Sequence, residues 1–265
     1  MSTKIVHSRP DGGRPLPEVE LQPGTTVIGD LHLDLANAGQ VTGFCERLRE
    51  LKGAPRLIIL GDLFEYWVGP AQLDSAEPVL ESMRDLAKAG TAVDIIPGNR
   101  DFLLERRFEE RSMATLREAG MVGILPEASA DESRVLLIHG DELCTLDLPY
   151  QRMKRVIRSR LVRAFAFSIP GPIVRWIAGR LRRASKRAID YKASASMQQQ
   201  DTTCRELSAR AACRTLVCGH AHRFRDDRFE DGLRWVVVDA FGGERDTLLV
   251  SPTGELEVQA PSGTA

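Results

Sequence analysis

Residues 26–32 of this 265-residue chain read TVIGDLH. The run of β-branched and apolar residues is typical of a buried strand, and it stops at two polar side chains, Asp30 and His32. The same pattern recurs in residues 56–62, which read RLIILGD, and in residues 134–139, which read RVLLIH. Side chains that can bind a metal therefore follow directly after predicted strands.

Outward from these stretches, predicted strands alternate with predicted helices. The strands are predicted at 26–29, 56–60, 91–96, 134–138 and 215–218, and the helices at 37–52, 77–88 and 102–119. This alternation indicates an α/β fold with parallel strands, in which ligands bind at the carboxyl ends of the strands. The remainder of the chain is predicted to form antiparallel strands at 228–230, 233–240, 246–251 and 256–258.

Five short motifs follow the predicted strands in order. They are Asp30-Leu31-His32, Gly61-Asp62, Gly98-Asn99-Arg100-Asp101, His139-Gly140-Asp141 and Gly219-His220-Ala221-His222. Asp and Asn beside Gly are common in turns, so most of these motifs are weak signals alone. The Gly219-His220-Ala221-His222 segment is a stronger signal, but it could also be a packed loop. All five in order, each at the end of a strand and together holding four of the five histidines, favour a metal site over five unrelated turns.

Seven side chains in these motifs are the predicted metal ligands. They are Asp30, His32, Asp62, Asn99, His139, His220 and His222. Asp30, His32 and Asp62 can serve one ion, and Asp62, Asn99 and His139 can serve another, while His220 and His222 supply one ligand to each. Oxygen and imidazole ligands without thiolate suit Mn²⁺, Fe or Zn²⁺ better than Ca²⁺. Two such ions about 3.5–4 Å apart clamp a phosphoryl group, which predicts hydrolysis of a phosphorus ester or anhydride.

Arg100 directly follows the Asn99 ligand. A guanidinium is always charged and cannot act as a general acid, but it can bind a phosphate through two hydrogen bonds. This predicts a substrate whose leaving group needs no strong acid, such as a phosphoanhydride. An alternative interpretation is that Arg100 caps the following helix.

A basic insertion occupies residues 147–210, where no strand pattern occurs. Thirteen Lys or Arg and one acidic residue, Asp190, lie between Arg152 and Lys192, whereas the whole chain has a net charge of −1. The segment can be a solvated pair of amphipathic helices, a nucleic-acid surface or a helical lid facing lipid. Abundant bulky apolar residues and few aromatic stacking positions argue against nucleic acid. The lid interpretation is favoured, and it predicts an anionic membrane surface as a partner.

The amino-terminal segment and the cysteines indicate the cellular compartment of the protein. Residues 1–24 are polar and rich in Pro and Gly, which predicts a loose arm or an extra edge strand rather than a signal peptide. The five cysteines are odd in number and form no CxxC pair, so reduced thiols in a cytoplasmic protein are expected. No run of about 18 apolar residues occurs, and no membrane span is predicted.

The five motifs resemble those of the calcineurin-like metallophosphoesterases. More narrowly, DLHL at 30–33, GDLFE at 61–65 with Trp67, GNRDFL at 98–103 and HGDELCT at 139–145 closely resemble the UDP-2,3-diacylglucosamine pyrophosphohydrolases of lipid A synthesis. The similarity runs from about residue 26 to residue 223 and includes the insertion. It implies a sandwich of two mixed β-sheets flanked by helices at residues 25–265, interrupted by a lid at about 147–210 and preceded by an arm at 1–24.

The resemblance also implies an activity. Water would attack the α-phosphorus of UDP-2,3-diacylglucosamine, releasing UMP and 2,3-diacylglucosamine 1-phosphate, with two ions that are Mn²⁺ in the family. Catalytic roles fall on Asp62, Asn99, Arg100 and His139. The implied substrate contacts are Asn99, Arg100, Asp147, Tyr150, Arg182, Ser185, Lys192 and His220. The protein is expected in the cytoplasm, peripheral to the inner membrane, with no nucleic acid or protein partner.

Several positions depart from the family pattern. Ile189 stands where an Asn is usual, Asp239-Ala240-Phe241 replaces a Gly-Asp-Trp, and Ala221 replaces a Thr. These differences lie outside the metal ligands and concern recognition of the sugar and acyl chains. Two alternatives therefore stay open, a related enzyme acting on another nucleotide-linked lipid or a phosphodiester, and a non-catalytic scaffold. A scaffold would tolerate loss of ligands, whereas all seven are present.

Overall fold

The computed structural model describes residues 15–126, 128, 133–146, 173 and 199–259. The strands in these ranges are β1 (Glu18–Glu20), β2 (Thr26–Ile28), β3 (Arg56–Ile59), β4 (Ala92–Ile95), β5 (Thr115–Leu116), β6 (Met121–Ile124), β7 (Arg134–Leu137), β8 (Thr215–Cys218), β9 (Arg225–Arg228), β10 (Arg234–Val237), β11 (Thr247–Val250) and β12 (Leu256–Val258). The α-helices are α1 (Ala38–Glu50), α2 (Glu77–Lys88), α3 (Arg106–Ser112) and α4 (Asp201–Ala211).

The strands form two six-stranded mixed sheets. The first sheet has the order β12-β11-β2-β3-β4-β5, and its strands from β2 to β5 are parallel. The second sheet has the order β1-β6-β7-β8-β10-β9, and β7, β8 and β10 are parallel neighbours within it. This architecture confirms the predicted α/β sandwich of two mixed sheets. Most of the predicted lid lies outside the described residues. The exceptions are Ile173, which is helical and exposed, and residues 199–210, which hold nearly all of α4.

Alternation along the strands builds the layers. Leu57 and Ile59 pack with the apolar faces of α1 and α2, whereas Ile58 and Leu60 pack between the two sheets. Successive side chains of a strand point to opposite faces, so a continuous apolar run serves a strand that is covered on both sides. The outer face of the second sheet packs with α4 through residues such as Leu207. The order of layers is therefore helix, sheet, sheet, helix.

Two predicted helices are confirmed nearly to the residue. The side chain of Asn37 accepts a hydrogen bond from the backbone N–H of Gln40 and caps α1. The buried face of α2 consists of Val79, Leu80, Met83 and Leu86, which recur at helical spacing. The predicted helices at 37–52 and 77–88 thus correspond to α1 and α2.

The predicted helix at 102–119 is wrong over most of its length. Only α3 is helical there, and it ends at Met113, whose φ of 61° lies in the left-handed region. The chain then forms β5, and the carboxylate of Glu109 accepts a hydrogen bond from the backbone N–H of Leu116 at 2.8 Å. Pairing with β4 therefore outweighs the helical pattern of residues 114–119.

The tail also differs from the prediction. The strand expected at 228–230 is β9, which lies at Arg225–Arg228 and turns back at Gly232. In addition, β10 pairs in parallel with β8, so the tail is only partly antiparallel. No strand was expected at Met121–Ile124, where β6 joins the second sheet.

Part of the segment that precedes residue 25 is built into the second sheet. β1 pairs in parallel with β6 at the edge of this sheet, and Leu16 and Leu21 beside it are buried. Residues 18–20 therefore form an edge strand, which was one of the two interpretations of this segment. The boundaries of the arm, domain and lid stay predictions.

Candidate metal centre

The five motifs meet at one edge of the sandwich. Their loops follow β2, β3 and β4 in the first sheet and β7 and β8 in the second. Parallel neighbours end at the same edge, so the topology brings distant residues together. Among the described residues, two groups of ligand atoms lie within 4.8 Å of one another: Asp30 with His32 and His222, and Asp30 with Asp62 and His139. No Cys belongs to either group.

The first group is more open to solvent. His32 Nε2 and His222 Nε2 are 2.9 Å apart, and His222 Nε2 lies 3.6 Å from Asp30 Oδ1. The Asp30 carboxylate is buried, whereas the side chain of His222 is 41% exposed. One side of this group thus faces solvent, which leaves access for a substrate.

Around His139 of the second group, two further predicted ligands meet at an amide oxygen. Asn99 Oδ1 lies 3.0 Å from His139 Nε2 and 3.1 Å from His220 Nδ1, and the two ring nitrogens are 3.2 Å apart. Asp62, which belongs to the second group, lies near residues of both, with Oδ1 3.7 Å from His139 Nε2 and Oδ2 3.9 Å from His32 Nδ1. The Asp62 carboxylate therefore adjoins residues of both groups, which is where a bridging ligand would lie.

The donors fit divalent cations. Asp30 Oδ1 is buried and has no hydrogen-bond partner among the described residues. Leaving such an atom unsatisfied is costly, and a cation beside it would remove that cost. Carboxylate, amide and imidazole donors without thiolate match Mn²⁺, Fe or Zn²⁺. The residues present therefore fit a dimetal site.

Backbone strain is concentrated at the same residues. Five of the predicted ligands have φ in the left-handed region, namely Asp30 (50°), His32 (47°), Asp62 (49°), His220 (70°) and His222 (52°). The other non-glycine residues with positive φ in the described ranges, Met113 and Ala212, end helices. A non-glycine residue held in this region costs on the order of 1–3 kcal/mol of stability. Residues of this kind cluster at functional sites. The fold therefore holds these side chains in place at an energetic cost.

Two motif glycines allow the backbone to approach the ligands. A Cβ atom on Gly61 would lie 2.5 Å from His139 Nδ1, and one on Gly219 would lie 2.5 Å from Asp30 Oδ2. Gly61 also has a φ of +89°. Gly61 and Gly219 are thus required by the close packing of neighbouring loops.

Asp101 joins two ligand loops. Its buried carboxylate accepts hydrogen bonds from the backbone N–H groups of Gly98 and Leu63, both at 2.7 Å. Gly98 precedes Asn99, and Leu63 follows Asp62, so one carboxylate fixes both ligands relative to each other. The sequence placed Asp101 in a motif without giving it a role.

Gln199 was not predicted. Its side-chain amide donates to the backbone carbonyls of Gly219 at 3.0 Å and Gly140 at 3.3 Å, and it thereby links the loops that carry His220 and His139. Gln199 lies just before α4 and far from any motif along the chain. No sequence pattern singled it out.

The electrostatics favour a bound cation. Burial lowers the pKa of His139, but the carboxylates of Asp62, Asp141 and Asp30 outweigh it and raise that pKa to about 9. Burial also raises the pKa of Asp62. When no metal is present, His139 therefore keeps a proton among these carboxylates. A metal cation can replace the positive charge of that proton.

Two further imidazoles, which are partly buried, are neutral. Burial and the nearby Arg100 lower the pKa of His32 to about 3, and burial and His139 lower the pKa of His220 to about 4. A neutral imidazole is the form that binds a metal. His32 and His220 can therefore bind a metal ion without first losing a proton.

Arg100 lies beside both groups. Its backbone N–H donates to Asp62 Oδ1 at 2.9 Å, and its guanidinium Nε lies 3.5 Å from Asp62 Oδ2. Nη1 donates to Glu65 Oε1 at 2.8 Å. These contacts place the guanidinium beside the ligand groups, six residues before α3 begins, rather than at the cap of that helix.

The predicted substrate contacts divide into two sets. Asn99, Arg100 and His220 lie together at the centre. The remainder, Asp147, Tyr150, Arg182, Ser185 and Lys192, lie outside the described residues. Glu65, which contacts Arg100, was quoted within a motif but was not predicted as a site residue.

Comparison with known proteins agrees with this geometry. The family model described as calcineurin-like phosphoesterase matches residues 25–224. The chain belongs to this family. The phosphoesterase is 37% identical over 235 residues to a UDP-2,3-diacylglucosamine hydrolase of Ralstonia nicotianae, with 80% of the chain and 82% of the relative covered. It is 32% identical over 246 residues to the enzyme of that name from Shewanella piezotolerans, with 90% and 99% covered. The predicted resemblance is confirmed.

Proposed function

We propose that this phosphoesterase hydrolyses the pyrophosphate bond of UDP-2,3-diacylglucosamine to UMP and 2,3-diacylglucosamine 1-phosphate in lipid A biosynthesis. The observation that carries the proposal is the convergence of seven oxygen and nitrogen donors with Arg100 at one edge of the sandwich. The names of the relatives support the choice of substrate.

The ligands divide between two ions, which we propose are Mn²⁺. Asp30, His32 and His222 would hold one ion, and Asn99, His139 and His220 would hold the other, while Asp62 would serve both. Two bound cations of this kind polarise the phosphoryl oxygens and lower the pKa of a water molecule. The neutral amide of Asn99 limits the negative charge of the site, so an anionic pyrophosphate is repelled less.

Arg100 is proposed to stabilise charge on the substrate phosphate, and His139 is held in a fixed orientation as a metal ligand. The guanidinium of Arg100 is positioned to bind a phosphate oxygen pair and to stabilise the charge that develops on it. The departing sugar phosphate is weakly basic, so it leaves without a proton donor, and an Arg at this position is sufficient. His139 keeps its ring orientation through its hydrogen bond to the Leu60 carbonyl, at 2.7 Å.

The insertion at about 147–210 is proposed to hold the lipid. Asp147, Tyr150, Arg182, Ser185 and Lys192 would contact the substrate, and the basic residues would dock the protein on the anionic cytoplasmic leaflet. Each basic residue near such a surface contributes about 1 kcal/mol. No helix within the described ranges is long and apolar enough to cross a bilayer. The proposed location is therefore peripheral to the inner membrane.

A comparison of substrates tests the proposal. The purified protein with Mn²⁺ is assayed on UDP-2,3-diacylglucosamine, on UDP-N-acetylglucosamine and on an aryl phosphodiester. We expect turnover of the acylated substrate to exceed that of the other two by several orders of magnitude in kcat/KM. Preference for the diester would instead favour a general phosphodiesterase, and no turnover of any of them would favour the scaffold.

A further inference from the structure

The carboxylate of Glu65 lies between a substrate anchor and a metal ligand. Its Oε1 accepts a hydrogen bond from Arg100 Nη1 at 2.8 Å, and its Oε2 lies 3.6 Å from His32 Nδ1. The side chain is 22% exposed, so most of it is shielded from solvent. Glu65 is not among the proposed ligands, and the proposed chemistry assigns it nothing.

Arg100 is held by two carboxylates. Glu65 binds Nη1, and Asp62 faces Nε at 3.5 Å, so the two contacts use different nitrogens of the guanidinium. The hydroxyl of Tyr66 donates to Glu65 Oε1 at 3.0 Å and fixes that carboxylate in turn. A long flexible side chain is thereby kept in one orientation before the substrate arrives, which lowers the cost of binding.

His32 has one ring nitrogen that lacks a hydrogen-bond partner among the described residues. Its Nε2 faces His222 in the first ligand group, whereas Nδ1 is buried and has no hydrogen-bond partner among the described residues. Imidazoles that bind metals donate their second N–H to a carboxylate, a carbonyl or water, and this fixes the ring. Glu65 Oε2 is the carboxylate oxygen on that side of the ring, beside the more distant Asp62 Oδ2.

We propose that Glu65 is a positioning residue for the phosphoesterase reaction. One of its oxygens orients Arg100 toward the substrate phosphate, and the other orients His32 toward its ion. The proposal deepens the function proposed above and rests on it. Because the Glu65 carboxylate positions both Arg100 and His32, removing its negative charge weakens phosphate binding and also the affinity for one ion.

A double-mutant cycle tests the link to Arg100. Glu65→Gln keeps the size of the side chain but removes its charge, and we expect kcat/KM to fall by about 10- to 100-fold. At saturating Mn²⁺, which offsets the weaker affinity for the ion, the same change in an Arg100→Ala background should cost less than about 3-fold, because the partner of Glu65 in substrate binding is already absent. Glu81→Gln, an exposed change on α2, is the matched control and should leave kcat/KM unchanged.

Metal binding is the second readout, and it does not depend on turnover. Titration of the metal-free protein with Mn²⁺, followed by calorimetry, should show that Glu65→Gln weakens one of two binding steps by about 10-fold. The control variant should match the wild type. If Glu65→Gln does not fold, as judged by circular dichroism, Tyr66→Phe is used, and its loss in kcat/KM should likewise be largely absent in the Arg100→Ala background.

The outcomes separate the two proposals. Losses that add fully in the double mutant, or unchanged Mn²⁺ affinity in Glu65→Gln, would overturn the role of Glu65. Failure of the wild type to hydrolyse UDP-2,3-diacylglucosamine would overturn the proposed substrate only. The cycle would then be measured with the aryl phosphodiester, and the metal titration would stand as it is.

Discussion

The Nδ1–H group of His139 donates a hydrogen bond to the main-chain carbonyl of Leu60, and the two atoms are 2.7 Å apart. Leu60 follows β3 in the first sheet, and His139 follows β7 in the second, so the bond joins the two sheets at the metal centre. It also requires that Nδ1 carries the proton, which leaves Nε2 facing Asn99 and Asp62. One backbone group thus sets both the tautomer and the direction of a ligand.

Asp62 should be indispensable for metal binding. In Asp62→Asn the amide removes the charge that both ligand groups share, and Asn tolerates the positive φ of this position. We expect activity to fall by at least about 10³-fold and the metal content to drop below two ions per chain. Elemental analysis after gel filtration measures this, with Asp85→Asn on the exposed face of α2 as a control. Two ions retained by Asp62→Asn would contradict the bridging role.

Arg100 should act on the substrate rather than on the fold. Arg100→Ala removes the charge beside both ligand groups, so we expect kcat/KM to fall by about 10²- to 10³-fold with little change in melting temperature. Lys at this position should recover only part of the activity, since an ammonium lacks the planar pair of donors. Steady-state kinetics and thermal unfolding check this together. Activity of the Ala variant near that of the wild type would return Arg100 to a structural role.

Asp101 should matter for both stability and metal affinity. Asp101→Ala leaves the backbone N–H groups of Gly98 and Leu63 buried without their acceptor, and each such group costs about 1–3 kcal/mol. The free energy of unfolding of the metal-free protein should fall by about 2–4 kcal/mol. Denaturant titration measures it. A loss below about 0.5 kcal/mol would show that the two loops hold their positions without this carboxylate.

Metal binding should strengthen as the pH rises. In the metal-free protein the pKa of His139 is raised from 6.5 to about 9, so the stability that it contributes is complete below pH 6.5 and is lost as the pH approaches 9. The ion needs the neutral ring and must displace the proton. The increase in melting temperature on adding Mn²⁺ should therefore grow between pH 6.5 and pH 9. An increase that shrinks over this range would contradict the proton displacement.

The proposed lid should respond to salt and lipid charge. Binding to vesicles that contain anionic lipid should weaken steeply with added salt, because the basic residues act through screened charge. Replacing Trp176 and Ile177 with Ser should reduce turnover of the lipid substrate more than hydrolysis of an aryl phosphodiester. Vesicle sedimentation and paired assays measure the two effects. Equal losses on both substrates would leave the insertion with a role in folding only.

The sequence predicted those elements whose pattern is set by burial on both sides. Residues 56–60 alternate between two apolar layers, and an unbroken apolar run of this length is typical of a strand that is covered on both faces. By contrast, the pattern of residues 102–119 is helical locally, and only the pairing of β5 with β4 overrides it. A two-residue strand that depends on a partner distant in sequence leaves no periodic signal.

The site shows the same division. Each predicted ligand follows a strand, so the parallel topology was sufficient to predict that Asp30, Asp62 and Asn99 lie together. The supporting contacts of Asp101 and Gln199 are to backbone groups of other loops, and such contacts depend on the loop conformations rather than on residue spacing. The positive φ values at Asp30 and His220 are likewise invisible in the sequence.

The position of bond cleavage tests the central claim most directly. Wild-type protein with Mn²⁺ is incubated with UDP-2,3-diacylglucosamine in water labelled with heavy oxygen, and the products are examined by phosphorus NMR and mass spectrometry. The proposed function predicts UMP that carries the label and unlabelled 2,3-diacylglucosamine 1-phosphate, because water attacks the α-phosphorus. Label in the sugar phosphate, or a substrate that stays intact while the metal centre is fully loaded, would contradict it.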